Sequence, residues 1–417
     1  MLDIQAQDAD VIVVGLGAVG SAVLYQLAKR GVRTVGIDRH RPPHDLGSSH
    51  GETRITRQAV GEGAPYVPFV LASHRIWRDV ERATGERLLV ECGALIMAPG
   101  DAPAPHHGKP DFVGRSLATA EAFGIPHEVL DGAEIRRRFP HLVGAGEGVR
   151  GYYEPGAGYV RPERCIAAQL RLAADHGAEI VTGRAVSHVR QVGDGVEVGT
   201  PSGVLRGRRA VVAAGAWAGE LLGPPFSGLL TASRQVLHWF ETEPAADFGA
   251  RPPVFIWMHG PHETDYLYGF PPLPGERSVK VATEQYERTT TADGVERAVA
   301  PGESRAMFET HLRGRVAGVS PRIAKAAACL YTVTPDRGFI IDRHPGQDRV
   351  TVVSACSGHG FKHSAGIGLA VAEEVAGGGS SIDLAPFGLA RFSRYGSPAG
   401  PLPPAGAPPA RPQGGPT

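Results

Sequence analysis

Apolar residues run without a break from Val11 to Val14, turn at Gly15, and return at helical spacing at Ala22, Leu24, Leu27 and Ala28. The helix they predict ends near Gly31, and a second apolar run at 34–37 delivers Asp38. The change from a continuous run to a helical period and back predicts a strand–helix–strand unit over 11–38. Downstream, Val67, Val70, Leu71, Ile76 and Trp77 mark an amphipathic helix over 66–84, and 88–97 is strand-like. Residues 100–110, rich in Pro, Ala and His, are expected to form a surface loop. Short helical patterns follow at 117–123 and 131–139. Pro162 opens a helix through Ile166, Leu170 and Leu172 that Gly177 stops.

Strands are expected at 179–181, 185–189, 195–198 and 204–207. A second strand-to-glycine-to-helix turn spans 209–222 and puts Gly215 at the end of a buried strand. Between 229 and 281 the texture changes: 235–240, 254–257, 266–270 and 278–282 alternate and are separated by Pro and Gly turns. This predicts an antiparallel sheet and a separate substrate-side domain. A helix at 302–313 precedes strands at 327–331, 339–342 and 350–355 and an apolar helix at 365–375. The strand at 350–355 has the buried character of a parallel strand and should rejoin the first sheet.

The glycines of the opening unit fall at Gly15, Gly17 and Gly20, the spacing Gly-x-Gly-x-x-Gly. Gly15 permits a tight turn, Gly17 lets a pyrophosphate touch the backbone, and Gly20 lets the helix pack close on the strand. The helix N-terminus attracts the phosphate charge. Asp38, at the end of the second strand, can accept hydrogen bonds from a ribose diol. An acid there argues against a 2′-phosphate and leaves NAD and FAD both open. The fold class is therefore α/β, with a discontinuous Rossmann-like domain over 1–88, 147–226 and 327–392. An antiparallel-sheet substrate domain is expected over 89–146 and 227–326. The segment 393–417, dominated by Pro and Gly, cannot bury a core and is expected to be disordered.

Composition narrows the function. The chain has 417 residues, 42% hydrophobic and 21% charged, enough for two globular domains. Lys and Arg number 43 and Asp and Glu 43, so net charge gives no reason to expect nucleic acid or an anionic membrane as partner. Cys92, Cys165, Cys329 and Cys356 form no Cys-x-x-Cys pair, and neither a metal site nor a disulfide framework is expected. The polar, acidic start MLDIQAQDAD does not suit a signal peptide, and the apolar stretch 11–28 fits the strand–helix unit better than a membrane span. A soluble protein of a reducing compartment, the cytoplasm, is expected.

Several motifs outside the glycine unit carry a resemblance. They include GLGAVG at 15–20, PPHDLGSSHGETRITR at 42–57, GEGAPYVPFVL at 61–71 and GAW at 215–217. Further on come YGFP at 268–271, CLYTVTPD at 329–336, FIIDRHP at 339–345 and SGHGFKHS at 357–364. Through them the chain resembles the monomeric sarcosine oxidase and N-methyltryptophan oxidase family of FAD-dependent amine oxidases. The resemblance implies FAD, covalently bound through Cys329. It implies oxidation of a secondary amino acid to an imine, with dioxygen reduced to hydrogen peroxide, by a monomer. Gly358 and Gly360 of SGHGFK would join the cofactor site, and Val186 would contact the adenine through its backbone.

The same resemblance places Arg57 and Lys362 as a clamp for the substrate carboxylate, a planar fork beside a point charge. Lys280, in the alternating run Val279-Lys280-Val281, would hold charge by the flavin and favour electron transfer to dioxygen, unless alternation turns it to solvent. Arg54 and His50 would line the flavin's other side, and Tyr268 and Tyr331 would wall the substrate pocket. Two positions depart from the family pattern. Glu284 stands where the family has histidine, and Val60 where it often has tyrosine. A carboxylate at 284 would repel a substrate carboxylate and attract an extra amine or an indole N–H, so the preferred substrate should differ from plain sarcosine. Rival readings are a dehydrogenase that passes electrons to a protein carrier, a non-catalytic FAD-binding protein, and an NAD-dependent amine dehydrogenase.

Overall fold

The computed structural model describes residues 8–100 and 105–395. The N-terminal stretch 1–7 and most of the segment expected to be disordered, from 396 onward, lie outside the described residues. The opening unit forms β1 (Asp8–Val14), α1 (Ala18–Lys29) and β2 (Thr34–Asp38), with β1 and β2 parallel. Both faces of β1 are apolar and both are covered. Val11 and Val13 pack with Leu24, Trp77 and Ile367 on one side. Ile12 and Val14 pack with Val198, Phe226 and Val352 on the other. That two-sided burial is why the strand reads as a continuous apolar run.

Eight strands make the first sheet. Beside β2 lies Glu179–Thr182, parallel to it; on the other side of β1 lies Gly203–Val212, also parallel. Gly203–Val212 is one ten-residue strand that serves two neighbours. Its first half pairs with the hairpin strand Gly195–Thr200, and Ala210–Val212 pair with Val350–Val352 of the strand Gln347–Ser354. The late return to the first sheet therefore holds. The expected strand at 185–189 does not: the chain pairs only at His188–Val192, and Val186 sits in the connection before it. In that connection Arg184 N and Ser187 N donate to Asp38 O and Gly199 O, while Ala185–Ser187 line a cavity instead of extending a ladder.

The second sheet has nine strands. It is antiparallel except where Val254–Met258 runs parallel to Ala94–Pro99. Val149–Glu154 pairs with Ala94–Pro99 and belongs to this sheet, although the boundary at 147 had placed it with the first. Val319–Val333, a single strand of 15 residues, also belongs wholly to it and crosses the boundary at 326. The stretch 88–97 breaks into Leu89–Val90 and Ala94–Pro99. Leu89–Val90 joins Arg54–Thr56 and Gly158–Val160 in a third, three-stranded sheet. Short as it is, this sheet fixes the direction in which Arg54 leaves the backbone.

Candidate active site

A cavity of about 500 Å³ opens at the C-terminal ends of β1 and β2. Gly15, Gly17 and the first turn of α1 form one end. Asp38, His40, Val186 and Gly215–Trp217 form its flank, and Ser48, Arg54, Tyr331, Cys356, Gly358 and Gly360 the far end. The first end is built to take a phosphate. No side chain caps α1, so its first N–H groups face the cavity unpaired. A Cβ on Gly17 would meet nothing nearer than Ser49 Oγ at 4.0 Å, so the backbone can be approached there. Gly20 lies behind: a Cβ on it would sit 1.7 Å from Gly15 O, so only glycine lets α1 pack this close to the turn. Asp38 accepts from Leu16 N and His40 N, both at 2.7 Å, one bond per oxygen. Each oxygen keeps a further lone pair for a ribose hydroxyl. The cavity, running from the first turn of α1 past Asp38 to Arg54 and Tyr331, fits an elongated dinucleotide.

Two buried charged groups lie at and beyond that far end. In the first, Lys280 Nζ donates to Gly51 O (2.7 Å), Thr53 O (2.8 Å) and Thr53 Oγ1 (3.1 Å), and lies 4.6 Å from the centre of the Phe270 ring. Lys280 thus points inward, not to solvent. Burial, and then Arg54, push its pKa well below the usual lysine value. Arg54 donates to Ser48 O at 2.8 Å and meets Cys329 Sγ at 3.7 Å. The Cys329 thiol lies behind Ser48 and Arg54, which themselves line the cavity. Burial pushes the thiol's pKa up, against the pull of Arg54 and Lys280. His50 is buried with its Nε2 unpartnered, and burial with Arg54 lowers its pKa to about 4.

The second group centres on Glu62, the acid of the GEGAPYVPFVL stretch at 61–71. Arg57 donates to it at 2.8 Å and Lys362 at 3.1 Å; all three are buried. Lys362 donates also to His359 O at 2.8 Å. Burial alone would raise the Glu62 carboxyl; Arg57, Lys362 and His107 hold it well below the usual range. Lys362 shares that one carboxylate with other cations, and burial pushes its pKa down to about 8. Tyr331 OH donates to Glu284 at 3.4 Å, and Tyr268 packs nearby against Phe270. Glu284 approaches within 3.0 Å of the position a Cβ on Gly358 would take, so it stands where the clamp meets the cavity. Val60 is fully buried beside Phe112 in an apolar cluster.

His106 and His107 were expected in a surface loop and are instead buried. His107 Nε2 lies 2.9 Å from Glu284, within hydrogen-bond reach, and its Nδ1 lies 3.3 Å from Glu62, at ion-pair distance but outside hydrogen-bond geometry, so one imidazole stands between both carboxylates. Burial would lower its pKa, but Glu284 and Glu62 raise it. Glu284 in turn is held down to about 2, burial being outweighed by His107. Donor atoms of His106, His107 and Glu284 gather within 4.8 Å, the one such trio among the described residues. The two rings are only 3.7 Å apart and 32° from parallel, and both His107 nitrogens already face carboxylates. Ion pairing explains this geometry better than a metal ion does. The signal for His107 was present in the sequence only as a His doublet and as an acid at 284 that lacked a cation.

A family model described as FAD dependent oxidoreductase matches residues 10–374. The chain belongs to that family. Curated relatives agree with this FAD-dependent oxidoreductase over nearly all its length. A protein named monomeric sarcosine oxidase from Streptomyces avermitilis is 39% identical over 375 residues, 87% of this chain and 92% of the relative. One named N-methyl-L-tryptophan oxidase from Salmonella newport is 32% identical over 391 residues, 92% of this chain and 99% of the relative. Among solved structures, NikD, titled an unusual amino acid oxidase essential for nikkomycin biosynthesis, superposes with a TM-score of 0.78. That match covers 92% of this chain and 98% of NikD at 22% identity, which speaks to fold. L-proline dehydrogenase from P. horikoshii gives 0.76 at 19% identity, covering 94% of this chain and 99% of its own. Among the described residues, no helix of this oxidoreductase is long and apolar enough to cross a membrane.

Proposed function

We propose that this flavoprotein oxidises the CH–NH bond of a secondary amino acid, N-methylated or cyclic, with dioxygen as acceptor. The observation that carries the reading is the buried pair Arg57 and Lys362, focused on one point next to the cavity's far end. Two desolvated cations on a single carboxylate suit capture of a second carboxylate. FAD, when bound, supplies the two-electron oxidation of the amine and hands the electrons to dioxygen. The residues of the chain position and tune. Arg57 and Lys362 hold the substrate carboxylate, relaxing their grip on Glu62. Tyr268 and Tyr331 wall the amine and exclude water. An imine leaves the site and hydrolyses, for an N-methyl substrate, to an aldehyde and the demethylated amino acid. Lys280, with Arg54 beside it, gathers positive charge where negative charge would grow on dioxygen, and His50, neutral above its lowered pKa, lies next to them. Asp38, Val186 and Gly215 take the adenosine end of the cofactor and Gly358 and Gly360 its ring end. We assign the Cys329 thiol to a covalent flavin link. Relatives named monomeric sarcosine oxidase support a monomer.

The test is peroxide release in air from the purified yellow protein. Sarcosine, N-methyltryptophan, other N-methyl amino acids, pipecolate and proline form the panel, with primary amino acids as controls. Peroxide from a secondary amino acid is expected. Turnover that needs an artificial electron acceptor would give the dehydrogenase reading instead. Silence with both acceptors would remove the amine-oxidising reading altogether.

A further inference from the structure

Glu284 and Glu62 put two carboxylates into the buried cluster of the two clamp cations, Arg57 and Lys362, which would form the substrate pocket. On those four groups alone the pocket carries no net charge. A neutral pocket has little electrostatic preference for an anion, and two nearby carboxylates oppose one directly. We infer that His107 is a specificity-determining residue: as an imidazolium bridging Glu62 and Glu284, it restores one positive charge and lets the pocket accept a monocarboxylate. The inference rests on the proposed substrate class and reverses the expectation that Glu284 repels a substrate carboxylate. Glu284 is not a bare anion but half of an ion pair.

The surroundings of His107 bear this out from every side. From the loop before the helix Val67–Thr84 come Arg57 and Glu62. From the segment after the strand Ser278–Ala282 come Glu284 and Tyr286, whose hydroxyl donates to Glu284 at 3.0 Å. From the glycine-rich turn come Lys362 and the His359 ring, 4.9 Å from His107. Arg337 approaches Gly108 but is engaged by Glu263 and by the Tyr286 ring. His106 and His359 carry pKa values depressed by burial and bring no charge to offset the carboxylates. Tyr331 and Tyr266 stay neutral, their pKa values raised by burial. Among the described residues here, His107 and Lys362 are thus the groups whose protonation can change the balance, and Glu284 and Glu62 favour the charged form of His107. Its backbone, at φ 52°, lies in the left-handed region that a non-glycine residue adopts only when its surroundings hold it there.

The experiment is calorimetric titration of the flavin-loaded protein with acetate, a carboxylate that cannot be oxidised, at about pH 6.5. H107Q should weaken acetate binding about tenfold or more, as expected for loss of one nearby charge. E284Q should bind at least as tightly as the wild type. The double variant H107Q/E284Q should recover wild-type affinity, because the clamp then again outweighs Glu62 by one charge. As pH rises through the raised pKa of His107, wild-type affinity should fall, over and above the fall that Lys362 brings to the double variant. A double variant as weak as H107Q would show that His107 acts through shape, and would overturn the inference. So would equal binding by all four proteins, absence of binding by the wild type, or loss of binding on chelator treatment that a divalent metal restores. If H107Q does not fold, E284Q and the double variant carry the comparison, and a weak double variant is still fatal. Amino acids that fail to turn over while acetate follows this pattern would sink the proposed function and leave the charge balance standing.

Discussion

Cys329 and Cys356 differ in their relation to the cavity, and that difference is testable residue by residue. Cys356 contributes to the cavity wall, whereas Cys329 stands one layer back, against Ser48 and Arg54. Both thiols have pKa values raised by burial, but only Cys329 has Arg54 and Lys280 pulling against that rise. A thiolate is the reactive form, so the cationic neighbours favour Cys329. Acid precipitation of wild-type protein should leave the yellow colour in the pellet. Cys329→Ser should release it to the supernatant, and Cys356→Ser should not; colour lost from Cys356→Ser alone would move the link to that residue. Lys280 makes a second prediction at this scale. Lys280→Met removes a buried cation held by three oxygens. Reoxidation by dioxygen should slow on the order of 10²-fold, with anaerobic reduction by substrate much less affected. Because the lysine's pKa is lowered, its charge is complete at low pH and lost as pH rises through that lowered value. Wild-type reoxidation should therefore slow with rising pH and the Met variant should not respond. Stopped-flow absorbance of the flavin separates the two half-reactions.

At the scale of elements, the loop that carries His50 and Arg54 is held by a helix it does not touch in sequence. Glu163, in the first turn of the helix Pro162–Asp175, accepts from Gly51 N at 2.6 Å and Glu52 N at 3.0 Å. Glu163→Ala leaves two part-buried donors unpaired and should cost about 1–3 kcal/mol, read by denaturant unfolding, with looser retention of flavin. Glu163→Gln keeps an acceptor and should fall between; an Ala variant as stable as the wild type would show that the loop is held by other contacts. The strand–helix unit was legible because its requirements are local: Gly15 has a positive φ, and Gly20 has no room for a side chain. The parallel pairing of Val254–Met258 with Ala94–Pro99 was not, since nothing in either segment reveals which distant strand lies beside it. Arg57 and Lys362 were legible through motif resemblance, but their shared partner Glu62 was not. His107 was missed for the same reason as the parallel pair. It lies in a Pro-rich stretch that reads as surface, and its burial depends on Glu284, 177 residues away.

For the whole molecule, the cavity draws its walls from pieces scattered over the chain. Gly15 to Val19, Asp38 to Arg54, Ala185 to Ser187, Ala213 to Leu221 and Val353 to Phe361 all contribute. No one element owns the site, and the first and second sheets both reach it, the second through Tyr331. A ligand that touches all these pieces binds the folded chain and has little to hold in the unfolded one. It must then stabilise the fold by mass action, by about 2.7 kcal/mol at a hundredfold excess over its dissociation constant. A covalent link hides this coupling in the wild type, so the place to measure it is Cys329→Ser, stripped of flavin and titrated back. Its melting temperature should climb continuously with added FAD and continue to climb after the site is saturated, as linkage requires. Adenosine diphosphate, which can fill only the end between Gly17 and Val186, should raise it less, because the Arg54 and Tyr331 end would remain unbridged. Equal shifts from FAD and adenosine diphosphate would mean that the ring end adds nothing to the fold, and the two charged groups would then have to be preformed without the cofactor.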